Sequence, residues 1–485
     1  MKIKTGLFFL ISVSLLILCI TGPMGCANIV APLGGPKDTI PPVLVSAVPK
    51  DSAKRFKGNK IIFNFDEYID GKDIRTELLV SPVPKIEPLV DAKLRTVTVR
   101  LKDTLQDNTT YALYFNRGIK DFNEGNILRN FTYVFSTGDT IDKGEFTGSV
   151  LVANTGRPDS TLIAVLHDKF DDSAVVKNRP RYIAKCDSTG RFHFAYVKPG
   201  SYALYAMKDE GGSHKYLSKA QLFAFADSPV NISAAGTPAQ TLFAYVEGDD
   251  SAKKTGTTGG SGVRTNQPAA PRKVSKENDR RLQVTTNAVN GVFDVLDTFK
   301  ISFSSGLKQF DSAQLHFTDD SYHDLDVRQY HYVRDSTSRI VSLFYVWPTD
   351  TKYHLIFPRA FGQDSLGRKL LKDDTISFKT KKDIEYGEVR IRVPNLDLSR
   401  HPVLQFVASD QVKYTLAFNN RREVHKILFA PGEYELRVLY DENRNMIWDH
   451  GVFFGKRRRQ PEKVVTIRRK FNIKANWDND QDITL

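Results

Sequence analysis

Asn108-Thr109-Thr110-Tyr111-Ala112-Leu113-Tyr114-Phe115 is the stretch on which the fold turns. Tyr111, Leu113 and Phe115 fall on alternate positions, the period of a half-buried strand, and Asn108-Thr109 supplies a turn before it. The same figure returns as Asp350-Thr351-Lys352-Tyr353-His354-Leu355-Ile356-Phe357. Outward from this pair, Gly125 corresponds to Gly367 and Leu128 to Leu370 at unchanged spacing. After one added residue, Phe135-Ser136-Thr137 corresponds to Phe378-Lys379-Thr380. A second figure repeats at its own spacing: Pro199-Gly200-Ser201-Tyr202-Ala203-Leu204 and Pro431-Gly432-Glu433-Tyr434-Glu435-Leu436, with Asp209 opposite Asp441 and Tyr216 opposite Trp448. Two different units, each used twice, give the order A-B-A′-B′.

Other segments carry the same alternation. Val97, Val99 and Leu101 share a face, as do Phe131, Tyr133 and Phe135, then Phe192, Phe194 and Tyr196, then Tyr434, Leu436 and Val438. No long stretch has a helical period with caps at both ends, so the expected class is all-β, as tandem sandwiches. A length of 485 residues allows three domains at about 150 residues each, or four small β ones. Apolar residues at 41% and charged residues at 26% exclude a protein that crosses a membrane many times. Three cysteines exclude a disulfide framework. Between the halves, residues 248–279 hold Thr-Gly-Thr-Thr-Gly-Gly-Ser-Gly and then Pro268-Ala269-Ala270-Pro271. Such composition predicts a flexible linker and two halves that move independently.

The N-terminus reads as an export signal. Lys2 and Lys4 precede an apolar run from Leu7 to Ile20, short of the roughly 20 residues that span a bilayer. Thr21-Gly22-Pro23-Met24-Gly25-Cys26 follows and resembles a bacterial lipoprotein signal, although Pro23 stands where an aliphatic residue is usual. The resemblance implies removal of residues 1–25, lipid on Cys26, a Gly- and Pro-rich tether over 26–38, and membrane attachment at the cell envelope as an outer-membrane lipoprotein. Which face of that membrane is left open. Cys186 is then the only thiol of the mature chain besides the lipidated one.

The A unit opens Asp38-Thr39-Ile40-Pro41-Pro42-Val43, passes through Phe63-Asn64-Phe65-Asp66-Glu67, and closes Phe135-Ser136-Thr137-Gly138. It resembles the bacterial Ig-like domain first described in surface-layer proteins, over 39–140. The second copy, over 280–382, keeps the Thr-x-Tyr strand, Asp364, Gly367 and Phe378 but lacks the Pro-Pro opening and the Phe-Asp-Glu turn. The B unit is carried by Gly144-Glu145-Phe146-Thr147-Gly148, Asp187-Ser188-Thr189-Gly190-Arg191-Phe192 and Val197-Lys198-Pro199-Gly200. It resembles transthyretin-like, carboxypeptidase-regulatory-like sandwiches, over 144–247 and 386–475, leaving 476–485 as a tail. The whole pattern resembles Ig-like-domain lipoproteins of Bacteroidota envelopes, and these resemblances imply spacers and binding platforms rather than catalysis.

Candidate sites crowd into one segment. Asp441, Asn443, Asn445 and Asp449 place oxygen side chains as at the start of a calcium loop. Met446 and Val452 stand where an EF-hand has its Gly and Glu, so a polar turn closed by Asx hydrogen bonds is preferred and no cofactor is expected. Lys456, Arg457, Arg458 and Arg459, with Arg468, Arg469 and Lys470, could bind lipid or glycan anions. Tyr205, Tyr216, Trp448, Phe453 and Phe454 would make a sugar platform if exposed, but at strand spacing such residues are more often core, which is the preferred reading. Asp66 and Glu67 are neighbours in an extended chain and point to opposite faces, so they cannot serve as paired acid and base, and the Ig-like resemblance implies a structural turn. No catalytic elbow, phosphate loop or metal-binding histidine pair occurs. The expected function is non-enzymatic: scaffolding, adhesion or binding of envelope proteins, without nucleic acid, with a glycan-binding accessory role as the alternative.

Overall fold

The computed structural model describes residues 37–247, 281–455 and 457–485. Residues 1–36, which include Cys26 and most of the tether, the stretch 248–280 and Lys456 lie outside the described residues. Strands make up 45% and helix 4%, so the chain is all-β, built of tandem sandwiches. The described residues fall into two compact units, the first made of those up to Val80 with Pro84–Gln106 and Ala112–Thr137, and the second of Gly138–Leu485 with Ser81–Val83 and Asp107–Tyr111.

In the first unit Leu44–Val48, Lys60–Phe65, Thr96–Arg100 and Leu89–Lys93 lie side by side in that order. Alternation drives Ile61, Phe63, Phe65, Val97 and Val99 to the inner face. There the Phe63 ring meets Phe115, Phe131 and Tyr133 edge-on at 5.3, 5.7 and 5.0 Å, the geometry aromatic quadrupoles favour. Asp66 closes the end of its strand by accepting from Val43 N at 2.7 Å, the structural task expected of the acidic turn.

The second unit contains three sandwiches. In residues 144–247 one sheet joins Gly144–Val152 to Arg191–Val197 and Gln240–Ala244. The other carries Tyr182–Lys185, Leu162–His167, Gly200–Lys208 and Phe223–Phe225. Phe146, Phe192, Phe194, Tyr202 and Leu204 fill the space between. Tyr196 departs from the expected alternation: a bulge between the Gly144–Val197 and Phe146–Phe194 pairs puts it at φ +57°, half-buried, and Val197 takes the inward place.

Residues 281–380 form the next sandwich, with Phe299, Ile301, Phe317, Tyr353, Leu355 and Phe378 in its core. Its Asp364 is fully buried and accepts from Leu366 N (2.9 Å), Arg368 N (2.8 Å), Ser305 Oγ (2.6 Å) and Arg368 Nε (2.7 Å). Asp121 in the first unit accepts likewise from the amides of Glu124, Gly125 and Asn126. Gly125 (φ +78°) and Gly367 (φ +75°) take the left-handed corner of corresponding turns, the first one residue longer, and each turn is closed by its aspartate.

In the last sandwich Gly387–Arg392 lies between Glu423–Phe429 and Asp478–Asp482, facing a sheet of Gln411–Ala417, Pro402–Ala408, Gly432–Tyr440 and Lys463–Ile473. The expected tail at 476–485 is therefore wrong, because its Asp478–Asp482 segment is the closing strand. Asp-Asn-Asp-Gln-Asp shows no apolar alternation, and the strand is held instead by Arg392 to Asp480 (2.7 Å) and Asp482 (2.6 Å), with Ile483 and Leu485 against the core.

Burial pushes the Asp364 carboxyl up, but the hydroxyl, guanidinium and amide donors outweigh it and hold the group at about 2. Its folded value lies below the unfolded one, so its contribution is complete above about pH 4 and disappears as pH falls toward 2. Asp364→Ala is expected to cost about 1.5–3 kcal/mol at neutral pH in denaturant titrations. An unchanged midpoint at pH 7 would refute that role.

Candidate functional site

The loop between Gly432–Tyr440 and Lys463–Ile473 carries the four oxygen side chains, most of the basic stretch and three of the five aromatic residues singled out in the sequence. Asp441 accepts from Asn445 N (3.1 Å) and Met446 N (2.6 Å), which wraps the chain into a tight turn with Arg444 and Met446 at positive φ. Asn443 Nδ2 and Asn445 Nδ2 both donate to Asp449 Oδ2, at 2.6 and 2.8 Å. Glu462 closes the base of the loop, accepting from Glu442 N (2.9 Å) and Asp449 N (3.0 Å), while its carbonyl accepts from Trp448 Nε1 (2.9 Å). Burial, with Asp441 and Asp449 nearby, pushes the Glu462 carboxyl up despite those amides. The four proposed calcium ligands are thus brought together, with their side-chain oxygens engaged by amide donors. Among the described residues no group of three or more His, Cys, Asp or Glu side chains could hold a metal.

Beyond this turn the loop leaves its own sandwich and packs on residues 144–247. Leu162–His167 is buried at every position and Gly200–Lys208 at six successive ones, so both faces of that sheet are covered. The outer face presents Tyr205, Phe223 and Phe225, and Phe453 lies among them at ring distances of 5.6, 5.0 and 5.1 Å. Phe453 N donates to Glu247 Oε1 at 3.0 Å, so the buried carboxylate has a partner in the loop. Phe454 stacks on Tyr216, and Tyr216 on Phe223. Gly451 lies against the Tyr245 ring, where a Cβ would come within 2.6 Å.

Arg458 sits 4.5 Å over Phe453 and 5.3 Å over Phe225 and forms an ion pair with Asp172. Gln460 Nε2 donates to Phe225 O (3.0 Å) and Asp227 Oδ1 (2.8 Å). A second contact lies at the Thr155-Gly156-Arg157 turn: Thr466 Oγ1 donates to Thr155 O, and Arg157 pairs with Glu435, which also holds Arg437 Nε at 2.7 Å. Gly156 (φ +64°) is needed there, since a Cβ would meet Val464 O at 2.6 Å.

Two expectations are corrected by this geometry, and the aromatic residues take the buried role preferred for them. Within the second unit, the sandwich at 144–247 and the last sandwich are joined, because the loop of one is seated on the sheet of the other; linker composition reports on the connecting chain and says nothing of the surfaces at its ends. These residues do not form an exposed sugar platform: Tyr205, Tyr216 and Phe453 are buried in the junction, Trp448 is half-buried, and Phe454 is exposed. The basic stretch is not one patch either. Arg458 is spent on Phe453 and Asp172, Arg459 bonds back to His450 O (3.0 Å), and Lys470 pairs with Glu433. Arg457 is exposed on the loop, while Arg468 and Arg469 are exposed at a bulge in Lys463–Ile473.

Sequence reading missed Glu247, Asp172 and Gln460. The available signal was Leu162-Ile163-Ala164-Val165-Leu166-His167, a run without alternation that announces a sheet covered on both faces.

His167 lies on that outer face beside Tyr205, and burial drives its imidazole down to about 4. Its folded value is below the ordinary 6.5, so the neutral ring favours folding fully above about pH 6.5. That contribution declines as pH falls toward 4, by roughly 3 kcal/mol in all. The stability difference between the chain and His167→Leu is expected to change over this window and to be flat above it; a pH-independent difference would refute the burial argument. Phe453→Ala is expected to cost about 3–5 kcal/mol at the junction. With a protease site placed in 248–280, the cleaved wild type should elute as one species and the cleaved variant as two.

Comparison with known proteins adds a family to the first unit. No curated protein matches the chain. Among solved structures, native alpha-2-macroglobulin from Escherichia coli (domains MG0-NIE-MG1) is 13% identical, covering 39% of this chain and 72% of its own, at a TM-score of 0.19. The Bacillus anthracis TIE protein is 9% identical, covering 93% and 76%, at 0.17. The major pilin subunit BcpA of Bacillus cereus is 7% identical, covering 71% and 99%, at 0.16. Residues 38–137, where the Pro-Pro opening, the Asp66 turn and the Phe63 core were found, match the model of the bacterial Ig-like domain.

Proposed function

We propose that the chain is a non-enzymatic protein of the cell envelope, fixed to a membrane by lipid on Cys26, that serves as a scaffold, adhesion or partner-binding module. One observation carries the reading: the loop that gathers the acids, amides, aromatics and bases of this sequence spends them on joining two of its own sandwiches. Catalysis needs titratable groups converging on space that a substrate can enter. Here Asp441, Asp449 and Glu462 converge on amides of their own loop, and Phe453 fills the adjoining surface. The bacterial Ig-like match over 38–137 supports the same class. Among the described residues no helix is long and apolar enough to cross a membrane.

Two measurements bear on it. Cys26→Ser should lose metabolic labelling with a fatty acid and move the protein out of the membrane fraction; retention of both would overturn the lipid anchor. A loop whose oxygens are engaged by amides should show the same Tm with and without millimolar calcium, and a calcium-dependent rise would instead establish a metal site at Asp441 and Asp449.

A further inference from the structure

The strand that opens residues 144–247 and the strand that closes them run side by side in the same direction. Gly144–Val152 and Gln240–Ala244 pair in parallel from Gly148–Gln240 to Val152–Ala244. Ser149 Oγ and Thr241 Oγ1 bond across them at 3.0 Å, and Ala153 N donates to Ala244 O at 2.7 Å. The last sandwich repeats the device, pairing Gly387–Arg392 with Asp478–Asp482 from Glu388–Asp478 to Arg392–Asp482. There the braces are Arg392 to Asp480 and Asp482, Asn479 Nδ2 to Glu388 O (3.0 Å), and Ile483 N to Arg392 O (2.8 Å).

In this arrangement the chain enters at one end of the ladder and leaves at the other. Tension along the chain slides the two strands past each other, so every rung is loaded at once. An antiparallel pair entered and left at the same end opens one rung at a time. Residues 281–380 have only the pairs Val292–Lys379 and Phe293–Thr380 in parallel between an early strand and their closing strand. In the first unit the parallel contact is shorter than either five-pair ladder: the bridge Ala53–Phe135, with Ser52 N donating to Val134 O (2.8 Å), Ser136 N to Ala53 O (2.8 Å) and Phe56 N to Ser136 O (3.0 Å).

We propose that the sandwiches at 144–247 and 386–485 are load-bearing modules that resist tension applied along the chain, and that they yield after the Ig-like ones. The proposal deepens the structural role argued above. It stands or falls separately, because anchoring through Cys26 can fail while the ladders hold, and the reverse.

The test varies the direction of pull rather than the fold. Handles go on surface cysteines of the full chain in a Cys19→Ser, Cys26→Ser background. Cys186 is buried with its thiol pushed up to about 12, so it does not compete. Lys143→Cys with Val246→Cys loads the parallel ladder lengthwise, and Lys143→Cys with Lys198→Cys peels Gly144 from Val197. Forced opening reports the unfolding barrier along the chosen direction. The first geometry is expected to need a several-fold higher rupture force than the second, at matched thermal stability of the two variants. Equal forces, or a lower one in the first geometry, would overturn the proposal.

Discussion

Burial of Phe453 on the outer face of a foreign sheet is the interaction on which the second unit depends. Tyr205, Phe223 and Phe225 would leave a contiguous apolar face in water if nothing covered them, and soluble proteins do not keep such faces bare. The loop supplies the cover, and its polar groups make the cover specific. Phe453 N satisfies Glu247, the Arg458 guanidinium lies over two rings while meeting Asp172, and Gln460 reads a backbone carbonyl. Removal of one partner from such a set leaves another buried group unsatisfied, so the contact has a single register.

This contact explains why a loop with the look of a binding site shows no free chemistry. Acids and amides around Asp441 and Asp449 hold the turn rigid, and a rigid turn is what delivers Phe453 and Phe454 to the facing sheet without further ordering cost. The equivalent loop of the earlier copy, with Asp209 accepting from Ser213 N and His214 N, brings Tyr216 to the same place from the other side. Two loops that correspond in the repeat therefore meet at the junction, one supplying an acceptor ring and the other the inserted ones.

Much of the fold was legible from the residues because the information was local. Period-two alternation placed Val97, Tyr111, Leu113 and Phe192 in cores, and the repeat that pairs Gly125 with Gly367 marked the left-handed corner of a turn in both copies. The Tyr196 bulge was not legible, since an extra residue in a strand leaves composition unchanged. Nor was the closing strand at Asp478–Asp482, which is held by Arg392 across a long stretch of sequence. The candidate loop was recognisable as special, yet its purpose was misread. Aromatic, acidic and basic residues look alike in sequence whether they await a ligand or a neighbouring sandwich, and only the unbroken apolar run at Leu162–His167 hinted at the latter.

Parallel pairing of first and last strands also has a consequence for how such a chain could arise. When a unit takes in the polypeptide at one end and releases it at the other, an in-frame duplication of its coding segment adds a new bead without rerouting any existing one. Units whose termini emerge together would have to fold back on themselves at every copy. The doubled A-B order of this sequence is what that freedom permits, and later divergence could then specialise the second bead's loop for gripping the first.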